Sequence, residues 1–307
     1  MTSFSNLISI SDLSRKDIES ILDVATQLKM TAEPNLLQGK IIASLFFEAS
    51  TRTRLSFESA IYRLGGQVIG FSDSGNTSFK QKGESLEDTI SMINSYADAI
   101  VIRHPEIGSA TRALNVSNVP VINAGDGANE HPTQTLLDLY TIKECHGSLD
   151  RLCIGLVGDL KYGRTIHSLI KALSLFDSIE LFLLCEDGFD LPEALVGYIN
   201  NQSTMKIQCV EDIETILPKI DVLYMTRLQK ERLVDNTSLD YQLKHIINKE
   251  IINAYAKTNL AILHPLPRLK EIDISVDSLK QARYFQQASN GLYVRAALLK
   301  QLLIETI

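Results

Sequence analysis

The feature that most constrains the fold is an alternation of short apolar runs with helical patterns along most of the chain. An apolar run at 41–47 precedes a helical stretch at 52–64, which stops at Gly65-Gly66, and later segments repeat this order. Strands that are joined through helices form parallel sheets with both faces covered. The alternation therefore predicts an α/β protein.

The alternation restarts after residues 135–150, which predicts two doubly wound domains with parallel sheets. A length of 307 residues suits one large or two medium domains. We set the domains at 1–135 and 146–283, and an amphipathic pattern at 282–304 predicts a long C-terminal helix. We expect this helix to pack back on the first domain and to complete it with residues 284–307. The strand candidates are 41–47, 67–71, 99–103, 120–123, 152–157, 180–184, 206–210, 222–225 and 260–263.

Composition and charge narrow the classes of function. A net charge of −7 argues against a nucleic-acid-binding surface. Because there is neither an apolar run of about 18 residues nor a signal-peptide pattern, we predict a cytoplasmic protein without membrane contact. The four cysteines lack C-x-x-C spacing, so we interpret them as buried thiols in a reducing compartment and predict no zinc or other metal site. They are Cys145, Cys153, Cys185 and Cys209.

A polar corner follows the first strand candidate. Ser50, Thr51, Arg52 and Thr53 lie where the strand pattern gives way to a helical one. A helix N-terminus offers unpaired N–H groups and a partial positive charge, and hydroxyls and a guanidinium add donors for phosphate. An equally open interpretation is that Ser50 only caps the helix and the arginines are solvated. Cations oppose the dipole in a first turn, which favours a bound anion.

Polar loops follow most of the other strand candidates as well. Ligands of open α/β sheets bind beyond the carboxyl ends of the strands. These loops are rich in Arg, Lys, His, Thr and Gln, which predicts one binding region built from many loops. They are 48–54, 72–82, 103–105, 125–134, 158–164, 226–232 and 264–268.

Within these loops the chain resembles the catalytic chains of the aspartate carbamoyltransferase family. The matching motifs run in the family's order over nearly the whole chain. They are Ser50-Thr51-Arg52-Thr53-Arg54, Lys82-Gly83-Glu84-Ser85, Arg103-His104-Pro105, His131-Pro132-Thr133-Gln134-Thr135, Gly158-Asp159-Leu160-Lys161-Tyr162-Gly163-Arg164-Thr165, Thr226-Arg227-Leu228-Gln229 and His264-Pro265-Leu266-Pro267-Arg268.

The resemblance implies transfer of the carbamoyl group of carbamoyl phosphate to the α-amine of L-aspartate, a step of de novo pyrimidine biosynthesis, without a cofactor. It implies that 1–135 binds carbamoyl phosphate and that 146–283 binds aspartate. It also implies a homotrimer in which Ser78 and Lys82 reach a neighbouring subunit's site, and it leaves open a separate regulatory chain.

By the same resemblance, the phosphate is bound by Ser50, Thr51, Arg52 and Thr53, and the catalytic contacts with the carbamoyl oxygen are made by Thr53, Arg103 and His131. The carbamoyl nitrogen is bound by Gln134, and aspartate is bound by Lys82, Arg164, Arg227 and Gln229. The substrate amines contact the backbone of Pro265, Leu266 and Pro267, and Leu266 and Pro267 also belong to the carbamoyl phosphate site.

The chemistry of these residues agrees with that reaction. The substrates bring about four negative charges, against five cationic side chains, and paired arginines suit two carboxylates. A neutral amine attacks a carbonyl, so stabilisation of the oxyanion and positioning are needed rather than a nucleophilic side chain. We hypothesise that the departing phosphate accepts the amine proton. The five cations are Arg52, Lys82, Arg103, Arg164 and Arg227.

Three alternatives stay open at this stage. Residues 158–165 nearly match a phosphate-binding P-loop, but Arg164 stands in place of the required lysine. A sister transferase that uses ornithine shares the phosphate site, although two arginines would repel a cationic substrate. A non-catalytic binding protein could retain the same fold.

Five side chains have a structural or an alternative interpretation. We interpret His104 and Arg54 as mainly structural, and His131 taken alone could be a helix cap. By resemblance, Glu48 and Arg232 pair to hold the domains closed; the alternative is a solvated pair of charges.

Overall fold

The structure is a computed structural model that describes residues 4–72, 75, 77–185, 187–202, 204–229 and 245–304. The chain divides into two compact units. Unit 1 comprises Met1–Leu137 and Ser289–Ile307, and unit 2 comprises Asp138–Ala288. In the described part of the chain, no helix is both long and apolar enough to cross a membrane.

Unit 1 is built on a four-stranded parallel sheet. Its strands are β1 (Ile41–Phe46), β2 (Gln67–Phe71), β3 (Ala99–His104) and β4 (Val121–Asp126). Their order is β2-β1-β3-β4. β1, β3 and β4 are buried over nearly their whole length, which is typical of parallel strands. The N-terminal segment closes the β4 edge, because Leu7 N–H donates to the Val121 carbonyl and Asn123 N–H donates to the Leu7 carbonyl.

The helices of unit 1 lie between and before these strands. Ser14 begins the first of them through a capping box with Asp17. Sequence analysis did not identify this helix, although the Ser-x-x-Asp spacing was a usable signal. It also treated 72–82 as a loop, whereas the last five residues of that segment are helical. The helices are α1 (Arg15–Met30), α2 (Thr51–Arg63), α3 (Ser78–Lys82), α4 (Leu86–Ile93) and α5 (Ser109–Val116).

Unit 2 repeats the arrangement with a five-stranded parallel sheet of order β7-β6-β5-β8-β9. Its core includes Phe182, Leu223 and Ile262, all buried. The strands are β5 (Cys153–Gly158), β6 (Glu180–Cys185), β7 (Lys206–Cys209), β8 (Val222–Met225) and β9 (Ala261–Leu263). The remaining helices are α6 (Pro132–His146), α7 (Arg164–Leu173), α8 (Glu193–Gln202), α9 (Ile213–Ile216), α10 (Lys249–Tyr255) and α11 (Tyr284–Leu303).

The predicted fold class is confirmed. All nine strand candidates form, with ends displaced by at most three residues. The long C-terminal helix is α11, and from Ser289 onward its residues belong to unit 1. There Lys300 contacts Glu33 and Gln301 donates to Ser20. The unit boundaries fall inside α6 and α11, so two continuous helices carry the chain from one unit to the other.

The prediction of four buried thiols is wrong. Cys145, Cys153 and Cys185 are half-buried, and Cys209 is exposed because it lies at the end of the edge strand β7, whose face is largely solvent-accessible. All four are free thiols. Burial together with a contact with Asp190 raises the pKa of Cys185 to about 12, so this thiol stays protonated at neutral pH.

Candidate active site

The corner between β1 and α2 has the geometry of an anion-binding helix N-terminus. Ser50 occupies the N-cap position with extended backbone, but its side chain makes no capping hydrogen bond. Thr51 and Arg52 are exposed, whereas Thr53 is buried. Partial desolvation lowers the pKa of Arg52, which nevertheless remains charged at neutral pH. The first turn of α2 therefore presents hydroxyl and guanidinium groups without an acidic residue.

Three predicted residues lie at or after the carboxyl ends of β1, β3 and β4, and two of them are in contact. Thr53 Oγ1 lies 3.4 Å from His131 Nε2, and both side chains are buried. Arg103, near the end of β3, forms a 2.8 Å ion pair with Glu48 and donates to the Ala124 carbonyl. β1, β3 and β4 are adjacent in the sheet, so residues from three sequence regions meet at one edge.

A network around Asp126 shapes the loop that leads to His131. Its carboxylate is buried and accepts hydrogen bonds from Gly108 N–H, Glu130 N–H and the Asn123 and Asn129 amides. Sequence analysis missed Asp126, although an Asp at the end of a strand and before a Gly is a common loop-forming signal. The His131 carbonyl then accepts from the backbone of the first turn of α6, so His131 also serves as the start of that helix.

A buried carboxylate joins two loops of unit 2. Asp159 follows β5 and accepts from Tyr162 N–H at 2.8 Å and from Gln229 N–H at 3.1 Å, while its own N–H donates to Thr226 Oγ1. Burial raises the pKa of Asp159, and the backbone donors partly offset that rise. The loops after β5 and β8 are therefore tied together, which sequence analysis did not foresee for Asp159.

These two loops carry three of the four residues predicted to hold aspartate, namely Arg164, Arg227 and Gln229. Arg164 begins α7, and Arg227 follows β8; both are half-buried. Gln229 Nε2 donates to the Tyr162 carbonyl at 2.8 Å, which links the same two loops again. Arg164 and Arg227 thus lie on connected segments at the carboxyl ends of neighbouring strands β5 and β8.

The loop after β9 has an irregular backbone. Leu266 has a φ of 56°, and its bond to Pro267 is cis. Pro265 and Leu266 are half-buried, and Pro267 is exposed. β9 neighbours β8, so this loop begins at the same edge of the sheet as the loop that carries Arg227.

The remaining predicted residues fall into four groups. Lys82 ends α3 and is exposed, and Ser78 is the first residue of that helix. Gln134 is buried in the first turn of α6. Arg232 lies outside the described residues, and its suggested partner Glu48 contacts Arg103. Arg54 pairs with Glu58 one turn along α2 at 3.4 Å, as expected for a structural arginine.

No group of three or more His, Cys, Asp and Glu that could hold a metal ion occurs among the described residues. The candidate site instead offers cationic and hydroxyl groups, which bind anions. Three N–H groups of the loop at 158–163 are engaged within the protein: those of Lys161 and Tyr162 donate to the Asp159 carboxylate, and that of Asp159 donates to Thr226 Oγ1. This geometry disfavours the P-loop alternative.

Comparison with known proteins agrees with both halves of this arrangement. Residues 5–144 match the model of the aspartate/ornithine carbamoyltransferase carbamoyl-P binding domain, and residues 150–302 match that of the Asp/Orn binding domain. The chain belongs to the aspartate/ornithine carbamoyltransferase family. Among similar members, the aspartate carbamoyltransferase catalytic subunit of Aliivibrio fischeri is 52% identical over 98% of this chain and 97% of its own. The aspartate carbamoyltransferase catalytic subunit of Buchnera aphidicola is 53% identical over 98% of this chain and 96% of its own.

Solved carbamoyltransferase structures have the same fold. The catalytic subunit of M. jannaschii aspartate transcarbamoylase has a TM-score of 0.90 and 45% identity, over 98% of this chain and 99% of that one. The Trypanosoma cruzi aspartate transcarbamoylase in complex with N-(phosphonacetyl)-L-aspartic acid has a TM-score of 0.90 and 38% identity, over 97% of this chain and 95% of that one. These members of the carbamoyltransferase family share both units of the chain.

Proposed function

We propose that the chain is the catalytic subunit of an aspartate carbamoyltransferase. It transfers the carbamoyl group of carbamoyl phosphate to the α-amine of L-aspartate and releases phosphate. The observation that carries this proposal is the pair of arginines, Arg164 and Arg227, on two loops of unit 2 joined through Asp159 and Gln229. Two guanidiniums on connected loops suit a dicarboxylate and would repel the cationic side chain of ornithine. Relatives at 50–53% identity carry the aspartate name.

Carbamoyl phosphate is assigned to unit 1, within residues 1–135. Ser50, Thr51 and Arg52 bind the phosphate at the N-terminus of α2, and Gln134 contacts the carbamoyl nitrogen. Aspartate is assigned to unit 2, within residues 146–283, with Gln229 beside the two arginines. The backbone of Pro265, Leu266 and Pro267 accepts hydrogen bonds from the substrate amines.

The transition state builds negative charge on the carbamoyl oxygen as the amine attacks. Thr53, Arg103 and His131 are the donors proposed for that oxygen, supported by the 3.4 Å contact of Thr53 with His131. The ion pair with Glu48 orients the planar guanidinium of Arg103. As the C–O bond to phosphate breaks, the phosphate leaves and accepts the proton of the amine, so no side-chain base is required.

The assembly proposed is a homotrimer in which Ser78 and Lys82 serve a neighbouring subunit. The exposed position of Lys82 at the end of α3 supports this. The name "catalytic subunit" of the relatives supports a separate regulatory chain. The proposed pathway is pyrimidine biosynthesis. The proposed location is the cytoplasm, whose reducing conditions keep thiols such as these four free.

A direct assay tests the function. The purified chain is incubated with carbamoyl phosphate and either L-aspartate or L-ornithine, and the release of phosphate and the carbamoylated product are measured. We expect turnover with aspartate and at least about 100-fold less with ornithine. Preference for ornithine would refute the substrate assignment, and binding of carbamoyl phosphate without transfer would identify a non-catalytic member of the family.

A further inference from the structure

A buried histidine lies directly beneath the irregular loop after β9. The His264 side chain is 1% exposed. Its Nδ1 lies 2.8 Å from the backbone nitrogen of Leu266, and its Nε2 lies 2.9 Å from Oε1 of Glu271. Both ring nitrogens therefore make contacts within the protein.

The partners determine which ring nitrogen carries the proton. The Leu266 N–H can only donate, so His264 Nδ1 must be the acceptor. A neutral imidazole has one N–H, which then resides on Nε2 and donates to Glu271. Burial raises the pKa of Glu271, but the hydrogen bonds from His264 and Leu269 N–H outweigh it and leave the pKa lowered. Glu271 is thus an anionic acceptor that fixes the tautomer of the ring.

The 265–267 segment has only one backbone N–H that can donate to His264. Pro265 and Pro267 have no N–H, so Leu266 carries the single backbone N–H of the three-residue segment. That N–H is engaged by His264, and the segment presents only carbonyl oxygens to a ligand. Carbonyl oxygens accept hydrogen bonds, which suits the N–H groups of substrate amines. Leu266 also has a left-handed φ, which a non-glycine residue keeps only when its surroundings hold it.

Buried groups of three other elements hold the histidine itself. His264 N–H donates to Gln287 Oε1 at 2.8 Å, and Gln287 Nε2 donates to Asp138 Oδ1 at 2.6 Å. The Tyr224 hydroxyl donates to the second oxygen of Asp138 at 2.8 Å. All four residues are at most 1% exposed, so the base of the loop is fixed by α6, β8 and α11.

We propose that His264 is a positioning residue of the transfer reaction: it holds the Leu266 N–H so that the carbonyl groups of the 265–267 segment face the substrate amines. Glu271 keeps the ring in the tautomer that can accept this bond. The inference rests on the proposed function, in which this segment contacts the amines.

Two amide substitutions separate the two hydrogen bonds of the ring. In His264→Asn, the amide oxygen takes the place of Nδ1 and can still accept from Leu266 N–H, but the donor to Glu271 is lost. In His264→Gln, the longer amide can reach Glu271, but the acceptor for Leu266 is lost. The Asn variant removes one of the two donors to the buried Glu271 carboxylate and should unfold at the lower temperature, since a lost hydrogen bond to a charged group costs more than one to a neutral group.

The variant with the lower unfolding temperature, His264→Asn, should be the more active of the two. We expect His264→Asn to keep kcat/KM for aspartate within about 5-fold of the unsubstituted enzyme, and His264→Gln to lose about 100-fold, the loss typical of a misplaced contact. The dissociation constant for inorganic phosphate should be unchanged in both. Equal losses in the two variants, or losses that follow the unfolding temperature, would overturn the proposal.

A third variant tells failure of this inference from failure of the proposed function. Arg164→Ala should raise KM for aspartate by at least about 10-fold, since it removes a carboxylate contact. If Arg164→Ala has this effect while the two His264 variants behave alike, the aspartate site stands and the positioning role is rejected. If Arg164→Ala leaves KM unchanged, the assignment of the aspartate site itself is wrong.

Discussion

In the proposed mechanism, Arg103 is the side chain on which activation of the carbonyl depends most. Its side chain is only 11% exposed, and its guanidinium contacts Glu48 and the Ala124 carbonyl. Arg103→Ala removes one donor to the oxyanion, and we expect kcat to fall by about 10²–10³ with a smaller change in KM. Steady-state kinetics with both substrates varied measures this.

A matched control lies in the first turn of α2. Arg54 pairs with Glu58 and is predicted to be structural. We expect Arg54→Ala to change kcat by less than about tenfold, since an i,i+4 ion pair on a helix is worth only about 0.3–0.5 kcal/mol. If the two variants lost kcat equally, Arg103 would owe its effect to general loss of charge or fold rather than to the oxyanion.

Asp277 gives a pH-dependent contribution to stability. The hydrogen bond from Arg268 lowers its pKa, burial opposes this, and the Tyr284 hydroxyl adds to the lowering. A carboxyl whose folded pKa is depressed stabilises the fold above its unfolded pKa of about 3.9, and the stabilisation is lost as pH falls through the folded pKa. Asp277→Asn should therefore unfold at a lower urea concentration at pH 7, and the difference should shrink between about pH 5 and pH 2. A difference that stays constant over this range would contradict the assignment.

At the scale of elements, the β5–α7 segment depends on a close approach of two backbones. Gly158 has a φ of 115°, and a Cβ there would lie 2.2 Å from the Thr226 carbonyl oxygen. Gly158→Ala should lower the free energy of unfolding by about 1–3 kcal/mol and raise KM for aspartate, because it separates the loops that carry Arg164 and Arg227. Urea unfolding and kinetics measure the two effects.

Gly197 provides the control for that substitution. It lies inside α8, and nothing is within 4 Å of a Cβ built on it. Gly197→Ala should stabilise the protein by about 0.5–1 kcal/mol, because alanine loses less conformational entropy in a helix. If both substitutions were neutral, the β5–β8 approach would not be tight enough to matter.

The short helix α3 depends on aromatic packing. Five residues are too few for a stable isolated helix. Phe79 meets the Phe47 ring edge-on with centroids 4.9 Å apart and the His104 ring at 5.8 Å. Phe79→Ala should misplace Lys82 and lower kcat/KM by about 10–100-fold. The exposed Tyr62→Ala offers a comparison of similar size, and equal activity of the two variants would rule out a role for this packing.

The sequence predicted the elements well and their connections less well. The nine strands of the described residues were predictable, most of them because a parallel strand is an apolar run ended by a polar loop. Asp159 and His264 lie within motifs that the sequence shows, but their hydrogen-bond partners could not be inferred from it. Asp159 bonds Gln229 N–H seventy residues away, and such a pairing depends on how strands are ordered in the sheet rather than on local pattern. The exposure of Cys209 likewise depends on β7 being an edge strand.

At the scale of the whole molecule, the proposed trimer makes each site depend on two chains. Arg52 is on α2, and Lys82 ends α3, exposed to solvent. If Lys82 acts on a neighbour, an Arg52→Ala chain and a Lys82→Ala chain are each inactive alone but complementary in a mixed trimer. A site is then complete when a chain with Arg52 lies beside one with Lys82.

Random mixing of the two variants in equal amounts should restore about a quarter of the unsubstituted activity, because each cyclic contact has one chance in about four of joining the right pair. The variants are unfolded together, refolded and assayed, with each variant refolded alone as the control. Recovery requires that both residues be essential and that they come from different chains. Activity that never exceeds the sum of the separate variants would mean that each chain builds its own site.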